Sequence, residues 1–394
     1  MDNLIVFDSP EVHGHLLPVS YTRPVGAIRV GILTVAEKWH LCLSMPYSWQ
    51  PSESYLCEKF PVDPAAAGSP SALYVAGHVL PSPELVARIR RLTNGEALYA
   101  VAGDNEGELI ARRGPVESLR SVFDGEVRDI RRPYDIFLLN GEEILSDFSR
   151  ITEGRVSQPL SATNTVIGDP EQIFIEEGAV VEGVFLNTKN GPIYIGRDAE
   201  VMEGAMLRGP VALCEHACVN MGARIYPDTT LGPWCKVGGE LNNVVMQGYS
   251  NKAHDGFLGN AVIGEWCNLG AGCVASNLKN DYTPIKLWDY PSHRFMPTGL
   301  QFCGVIMGDH SKAGINTMIN TATVIGVGVN IHGAGFPRNF VASFSEGGTA
   351  GFSDVVMSKF FATARKVMER RGRTLTAADE RMFLAIRDIA ERYK

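Results

Sequence analysis

Residues 195–237 read IGRDAEVMEGAMLRGPVALCEHACVNMGARIYPDTTLGPWCKV. An aliphatic residue recurs at every sixth position, at Ile195, Val201, Leu207, Leu213, Val219, Ile225, Leu231 and Val237. Neither an α-helix nor an alternating β-strand has this period. A triangular coil has it, because each of its three short strands turns one aliphatic side chain inward and stacked coils bury a continuous apolar column. The stretch therefore predicts a left-handed parallel β-helix.

The same period extends beyond this stretch in the C-terminal direction. It returns at Phe257, Ile263 and Leu269, and again at Met307, Ile319, Ile325 and Ile331. Glycines that follow several of these positions suit tight corners, where a side chain would obstruct the turn. Residues 188–192 are an insertion in the repeat, and residues 279–297 predict a loop that leaves the coil. We predict a β-helix domain of hexapeptide repeats over residues 165–348.

The flanking segments differ in kind from the repeat. Residues 1–155 alternate between strand and helix patterns, with strands at Leu4–Phe7 and Leu73–Ala76, a helix over Val25–Leu41 and a hairpin over Ala97–Arg113. Such alternation predicts an α/β domain of Rossmann type. Residues 352–394 predict two α-helices that cap the solenoid, the second beginning at a capping box formed by Thr376 and Asp379.

Composition excludes several functional classes. A net charge of -8 and a pI near 5.7 provide no basic surface for nucleic acid or an anionic membrane. The N-terminus lacks the pattern of a secretory signal, and no run of 18 apolar residues is present. We therefore expect a cytoplasmic protein whose eight cysteines stay reduced. Cys214, His216 and Cys218 form an incomplete zinc-ligand set, and we interpret the cysteines as small core residues.

The segment from Arg224 to Leu278 carries a second pattern. The chain reads HDGFLGN at 254–260, NLGAG at 268–272 and SNL at 276–278. This pattern resembles the acetyltransferase half of the bacterial bifunctional enzymes that acetylate glucosamine 1-phosphate and then uridylylate it. The whole chain is similar to a subgroup related to these enzymes, whose truncated N-terminal nucleotidyltransferase-like domain is degenerate. The resemblance implies a homotrimer with active sites between neighbouring coils.

The resemblance assigns roles to individual positions. It implies that Arg224 binds a phosphate, that His254 is the general base, and that Asn268 and Asn277 contact the acceptor sugar, with Asn277 in the catalytic set. It places the acyl-CoA against Ala271 and Gly272. The alternatives without a functional role are an exposed surface arginine, a solvated corner histidine and asparagines that form solenoid corners.

Three departures leave the acceptor open. Asn242 stands where the family has a phosphate-binding lysine, Phe257 where it has a sugar-contacting tyrosine, and Leu278 where it has another tyrosine. Asn242 and Phe257 remain candidates for substrate binding. Acyl transfer requires a base that titrates near neutral pH, which an imidazole supplies, and a donor for the oxyanion, which we expect from a backbone N–H near residues 270–272.

The N-terminal segment has fewer signals. LLPVSYTRP at 16–24 resembles the stretch of sugar-phosphate nucleotidyltransferases that ends in a phosphate-contacting basic residue, but DSPEVHG at 8–14 replaces the family's glycine-rich loop. Arg23, Arg29 and Lys38 are candidates to bind phosphates, and Asp104 is a candidate ligand for Mg²⁺. Arg29 and Lys38 are equally compatible with the polar face of an amphipathic helix.

Three functions compete. The leading hypothesis is an acyltransferase that uses acetyl-CoA or another acyl-CoA and acts on a sugar phosphate or nucleotide sugar. The second is a sugar-1-phosphate nucleotidyltransferase, which would use Mg²⁺ and a nucleoside triphosphate in the N-terminal domain, alone or together with acyl transfer. The third is a non-catalytic scaffold that binds sugar nucleotides.

Overall fold

The structure, a computed structural model, describes residues 3–101 and 107–394. Backbone contacts divide the chain into two compact units. The first comprises Met1–Leu16, Thr22–Ile28 and Leu33–Asp135, and the second Leu17–Tyr21, Arg29–Ile32 and Ile136–Lys394. This division falls ahead of the domain boundary between residues 155 and 165 that the sequence predicts, since the helix after Asp135 belongs to the second unit.

The first unit is built on a six-stranded sheet with the order β2-β1-β3-β5-β4-β6. Its strands are β1 Leu4–Phe7, β2 Tyr47–Gln50, β3 Leu73–Ala76, β4 Glu96–Ala100, β5 Leu109–Arg113 and β6 Leu119–Phe123. The strand β1 runs parallel to β2 and β3, whereas β5 is antiparallel to β3 and β4. Helices α1 Pro10–His15, α2 Val35–Leu43, α3 Pro64–Ala67 and α4 Pro83–Arg90 complete the unit, with short 3₁₀ turns at Val25–Ala27 and Ser54–Leu56.

The helix predicted over Val25–Leu41 is wrong in its first half. It begins at Val35, because Thr34 forms a capping box with Glu37 that satisfies the first backbone N–H groups of α2. Arg29 therefore precedes the helix and is not on its polar face. Lys38 lies on α2 but is fully buried, so the alternative of a solvated helix face is wrong for this residue too.

The second unit is a parallel β-helix with three faces. Face one contains Thr165–Ile167, Phe185–Asn187, Met206–Arg208, Arg224–Ile225, the first parts of Glu240–Gly248 and Phe257–Glu265, Val274–Ala275 and Met318–Ile319. Face two contains Ile173–Ile175, Ile193–Ile195, Val211–Leu213, Thr229–Leu231, the second parts of the two long strands, Ile306–Met307, Val324–Ile325 and Phe340–Val341. Face three contains Val180–Val181, Glu200–Val201, Cys218–Val219, Lys236–Val237, Asn251–Lys252, Asn268–Leu269, Lys312–Ala313, Asn330–Ile331 and Ser345–Gly348.

The interior of the β-helix follows the predicted period with one local shift. The aliphatic positions from Ile195 to Val237 are buried and form one core cluster. Leu258, not the predicted Phe257, occupies the inner position of its coil. Phe257 pairs with Glu240, which lies 17 residues earlier, so this coil is one residue shorter than three hexapeptides. A strict six-residue period therefore points to Phe257, whose side chain faces outward, instead of the inward Leu258.

Helices and a hairpin close the second unit. Helix α5, Pro133–Thr152, packs on face two from Ile136 onward, where Asn140 Nδ2 donates to the Asp228 carbonyl at 2.8 Å and to Thr230 Oγ1 at 3.0 Å. The predicted loop at 279–297 contains an antiparallel hairpin, Lys286–Asp289 with Arg294–Pro297, whose Trp288 stacks on Phe340. The last strand, Gly351–Asp354, pairs antiparallel with Ser345–Gly348.

Two helices end the chain, α6 Met357–Glu369 and α7 Ala377–Ala390, followed by a 3₁₀ turn at Glu391–Tyr393. The capping box of Thr376 and Asp379 is present, as predicted. The α/β N-terminal region, the β-helix and the C-terminal helices are thus confirmed. Within residues 3–101 and 107–394, every helix is too short or too polar to cross a bilayer.

Candidate active site

His254 stands on the corner that leads from face three to face one. It follows the strand Asn251–Lys252 and precedes Phe257–Glu265, and its side chain is exposed. Corners of a β-helix lie where the backbone leaves one sheet for the next, so their side chains project into solvent rather than into the core. The geometry gives this imidazole access to a ligand on face one.

The corner that carries His254 rests directly on backbone. A Cβ at Gly238, in the coil below, would lie 2.5 Å from the Ala253 carbonyl oxygen. The gap left by this glycine admits Asn220, whose Nδ2 donates to that same carbonyl at 2.7 Å. A Cβ at Gly256 would lie 2.0 Å from the Cys273 carbonyl oxygen, in the coil above. The position of His254 is therefore fixed by close stacking of three coils.

Lys252 supports the corner from inside the solenoid. It pairs in register with Val237 and occupies an inner position that is aliphatic in the neighbouring coils, with 1% of its surface exposed. Its Nζ donates to the His254 carbonyl at 2.7 Å and to the Gly238 carbonyl at 3.2 Å. Burial lowers the pKa of Lys252 to about 8. This buried ammonium therefore links the backbone of the His254 corner to that of the Gly238 corner in the coil below.

Ala271 and Gly272 stack on the His254 corner. The next coil lies 17 residues on, as the pairs Asn251 with Asn268 and Leu258 with Ala275 show, which aligns His254 with Ala271. Gly272 N–H donates to the Asp255 carbonyl at 3.2 Å. In the described part of the chain, the Ala271 N–H has no hydrogen-bond acceptor. Of the backbone donors expected near residues 270–272, Ala271 is thus the one available to a ligand.

Face one carries the other candidates below and beside this corner. Arg224, Glu240 and Phe257 occupy paired outward positions on three successive coils. The Arg224 Nε lies 3.3 Å from Glu240 Oε2, and the arginine side chain is half exposed. The structure therefore brings Arg224 to the same edge of the solenoid as His254, with one carboxylate as its neighbour.

Asn242, Phe257 and Asn277 also gather on this face. Asn242 pairs in register with Gly259, and the missing side chain of Gly259 makes room for Phe257 and Asn277, whose atoms would lie 2.5 Å and 2.8 Å from a Cβ there. Asn277 Nδ2 donates to Asn260 Oδ1 at 2.8 Å. The aromatic ring and the amide thus form a wall above Arg224 and Glu240, with Phe257 two coils above Arg224 and Asn277 in the coil beyond.

Asn268 is not part of this group. It occupies an outward position on face three, between Asn251 and Lys312. The corner with His254 and Ala271 separates it from face one. A role for Asn268 in holding the same ligand as Arg224 is not supported by this position.

An apolar groove adjoins Arg224 on face one. It has a volume of about 390 Å³, and its lining includes Phe185, Met206, Arg224 and Tyr226. Phe185 and Met206 are exposed, although both are large apolar side chains. Large exposed apolar patches are frequent at surfaces that bind a partner or a ligand.

The N-terminal candidates lie in different surroundings. Arg23 is buried, and its Nη2 donates to Thr22 Oγ1 at 3.4 Å. Within the second unit, the Arg29 N–H donates to Gln247 Oε1 and the Arg29 carbonyl accepts from Gln247 Nε2. Asp8, which follows β1 where a glycine-rich loop is absent, accepts from the Val25 N–H at 2.9 Å and lies 3.3 Å from His13 Nδ1. Asp104 lies outside the described residues.

Metal binding by the cysteine cluster is not supported. The Cys214 thiol contacts the Ile32 carbonyl at 3.5 Å. None of the eight cysteines forms a disulfide. Across residues 3–101 and 107–394, no three His, Cys, Asp or Glu side chains are placed to share a metal ion.

Two features of the site were missed by sequence reasoning. Lys252 interrupts the aliphatic period, and that interruption is the signal that could have identified it. Glu240 has no comparable signal, because its contact with Arg224 depends on a coil length that the sequence pattern does not determine.

Comparisons with known proteins bear on both halves of the chain. Residues 4–156 match the sugar nucleotidyl transferase family model. The bifunctional protein GlmU of Gloeobacter violaceus is 25% identical over 257 residues, which is 59% of this chain and 51% of the relative. A bifunctional sugar-1-phosphate nucleotidylyltransferase/acetyltransferase of Sulfurisphaera tokodaii is 29% identical over 145 residues, 36% of this chain and 35% of the relative.

The chain spans about half the length, or less, of the curated relatives it matches. Among solved structures, an Arabidopsis UDP-N-acetylglucosamine acyltransferase is 12% identical, covering 55% of this chain and 78% of its own, with a TM-score of 0.23. That likeness is too weak to support an argument. The sequence matches confirm the resemblance to the bifunctional enzymes: the chain is similar, at low identity, to bifunctional GlmU proteins and to a sugar-1-phosphate nucleotidylyltransferase/acetyltransferase, and its residues 4–156 match the sugar nucleotidyl transferase model.

Proposed function

We propose that the β-helix transfers an acyl group from acetyl-CoA, or another acyl-CoA, to an amine or hydroxyl of a sugar phosphate or nucleotide sugar. The observation that carries this proposal is that Arg224, His254 and the available Ala271 N–H lie along one edge of the solenoid, on three different coils. Each supplies one requirement of acyl transfer: a base, an anchor for the acceptor and a donor for the developing oxyanion.

His254 takes the proton of the attacking nitrogen or oxygen as that atom bonds to the thioester carbonyl carbon. The Ala271 N–H faces the charge that develops on the carbonyl oxygen. When the carbon–sulfur bond breaks, His254 returns the proton to the sulfur, so the thiol leaves and the imidazole is neutral again. General base catalysis of this kind contributes about 10²- to 10⁴-fold to the rate.

Arg224 binds the phosphate of the acceptor. A guanidinium can grip a phosphate with two parallel hydrogen bonds, and Glu240 holds the arginine in place until the ligand arrives. The wall of Phe257 and Asn277 begins two coils above Arg224, on the side where the sugar ring would stand. We also propose that three copies associate through face one, since the exposed Phe185 and Met206 next to Arg224 would then be covered. We expect a cytoplasmic location, where acyl-CoA and reduced cysteines coexist.

The test is thiol release from acetyl-CoA in the presence of a panel of amino-sugar phosphates and nucleotide sugars. His254→Ala is expected to lower kcat by about 10²- to 10⁴-fold, and Arg224→Ala to raise KM for phosphorylated acceptors. His332→Ala is the matched control, because this exposed histidine follows Ile331 at the equivalent edge of a later coil. Equal turnover in wild type and His254→Ala would refute the mechanism. Binding of the ligands without any turnover would favour the scaffold function.

The match of residues 4–156 to the sugar nucleotidyl transferase family favours a second activity, transfer of a nucleotide to a sugar 1-phosphate. Buried Arg23 is the candidate phosphate ligand, and Mg²⁺ with a nucleoside triphosphate would be required. Asp8 in place of a glycine-rich loop opposes tight binding of a triphosphate, because a carboxylate repels the anion and presents no backbone cradle. Pyrophosphate release from a matrix of nucleoside triphosphates and sugar 1-phosphates tests this activity, and no release from any pair would eliminate it.

A further inference from the structure

Face three carries a polar column that the proposed reaction does not use. Lys236, Asn251, Asn268 and Lys312 occupy paired outward positions on successive coils. At about 4.8 Å per coil, the two lysine backbones are about 14 Å apart. The register continues to Glu200 at one end and Glu346 at the other. Positive charge is therefore confined to the middle of the face, with a carboxylate at each end.

An aromatic column forms the corner beside these lysines. Trp234, Tyr249, Trp266 and His310 all adopt left-handed backbone conformations, with φ between 54° and 60°. The rings of Tyr249 and Trp266 stack with their centroids 4.2 Å apart. Left-handed backbone is costly for bulky residues, so a whole column of them is a strained feature that the surrounding structure must hold.

The end of α6 lies over this corner. The guanidinium of Arg371 stands 5.6 Å above the Trp234 ring, and that of Arg373 stands 5.9 Å above Tyr249. Nearer its start, α6 is anchored by Phe360, which packs against His310 and Phe344. The turn that follows α6 thus places its arginines opposite the polar column of face three.

A pocket of about 500 Å³ lies between face three and α6. Its cations are Lys236, Lys312, Arg370 and Arg371, and its lining within the described residues contains no Asp or Glu. None of the four cations has a carboxylate within 4 Å in residues 3–101 and 107–394. The Asn251 Oδ1 is buried there and has no hydrogen-bond donor in the same part of the chain. The Lys312 Nζ donates to the His310 carbonyl at 2.9 Å and has further N–H groups, so four cations and an unused acceptor line the pocket.

We propose that this pocket binds a nucleoside diphosphate unit, with the phosphates held by Lys236, Lys312, Arg370 and Arg371. One guanidinium can bind a phosphate through two parallel hydrogen bonds. Tyr249 and Trp266 supply an apolar wall against which a nucleoside can pack. Asn251 accepts from a donor of the ribose or the base. The volume suits a small molecule, and the net charge of -8 opposes a nucleic-acid polyanion.

The pocket is separated from face one by the His254 corner, although Ala253 lines it. The nucleoside diphosphate has two sources, a free nucleotide or the nucleotide end of coenzyme A. Binding of a free nucleotide is independent of the proposed acyl transfer, whereas binding of the nucleotide end of coenzyme A rests on it; neither depends on His254 acting as a base.

Titration of the full chain with ADP, pyrophosphate, adenosine and coenzyme A, followed by calorimetry, tests the site. ADP is expected to bind more tightly than adenosine or pyrophosphate. Lys236→Ala and Arg371→Ala should each weaken ADP binding at least tenfold. Lys189→Ala removes an exposed cation elsewhere on the β-helix and should have no effect. Thermal melts of each variant establish that the loss is not unfolding.

The outcomes separate the two sources. If Arg371→Ala weakens coenzyme A and ADP equally, the pocket receives the nucleotide end of the cofactor; if it weakens ADP alone, the ligand is a free nucleotide. An ADP affinity unchanged by both pocket variants would place the nucleotide elsewhere and overturn the inference. His254→Ala should leave ADP binding intact, which distinguishes failure of this site from failure of the catalytic proposal.

Discussion

Lys252 is the residue that most clearly departs from its surroundings, since an ammonium occupies an inner position of an otherwise apolar solenoid. Burial lowers the pKa of Lys252 from 10.5 to about 8 in the folded chain. Between these values the unfolded chain binds the extra proton, so the contribution of Lys252 to stability rises with pH across that window. Below pH 8 the ammonium is charged in both states and its desolvation opposes folding.

We predict that Lys252→Met removes this pH dependence. The difference in free energy of unfolding, wild type minus variant, should increase between pH 8 and pH 10.5 by on the order of 3 kcal/mol. Urea titrations at a series of pH values measure it. A difference in the free energy of unfolding that does not change with pH would show that the Lys252 ammonium is fully solvated. Because Lys252 holds the His254 carbonyl, the variant should also lose acyl transfer at pH 7 without losing stability there.

At the scale of the element, the corners of the β-helix depend on glycines that lie against backbone. Gly256 has φ +126°, and a Cβ would lie 2.0 Å from the Cys273 carbonyl oxygen. Backbone cannot move aside as a side chain can. We predict that Gly256→Ala lowers the free energy of unfolding by on the order of 3 kcal/mol, from strain and steric overlap together.

Gly222→Ala is the control for this prediction. Gly222 has φ +68° in a neighbouring corner, but nothing lies within 4 Å of a Cβ there. Only the left-handed conformation is penalised, at about 1–2 kcal/mol. Equal losses of stability in the two variants, measured by denaturant unfolding, would mean that close stacking of coils is not what fixes the His254 corner.

The sequence predicts the elements to the extent that local pattern determines them. The six-residue period identifies the inner column from Ile195 to Val237, because each position faces the core irrespective of its neighbours. Phe257 was placed inside incorrectly, since a single shortened coil shifts the phase and only the pairing with Glu240 reveals it.

The residues of the candidate site divide in the same way, into those that a local sequence pattern identifies and those that only the fold brings together. The motif predicts roles for His254, Arg224 and Asn268, and these stay predictions; the fold puts the first two along one edge of the solenoid, whereas Asn268 faces the other side of the corner. The start of α2 was missed because a capping box at Thr34 outweighs the apolar residues before it. Neither the polar column of face three nor the arginines opposite it could be expected, because they combine segments that are distant in sequence, from Lys236 to Arg371.

At the scale of the whole molecule, the proposed trimer would bury the exposed apolar column of face one. Met206 is 50% exposed beside the groove at Arg224, and Val180 is 53% exposed on face three. If copies associate through face one, a charge buried at Met206 would lack a partner in the interface. A charge at Val180 would stay in solvent.

We therefore predict that Met206→Glu converts a trimer to monomers and that Val180→Glu leaves it intact. Native mass spectrometry and light scattering at micromolar concentration measure both variants. Since Met206 is exposed in the single chain, the substitution should not lower the melting temperature of a monomer. A wild-type chain that is already monomeric at these concentrations would contradict the association, and an intact Met206→Glu trimer would move the interface to another face. Loss of acyl transfer in a folded Met206→Glu monomer would further show that the site beside Arg224 is completed by a neighbouring copy.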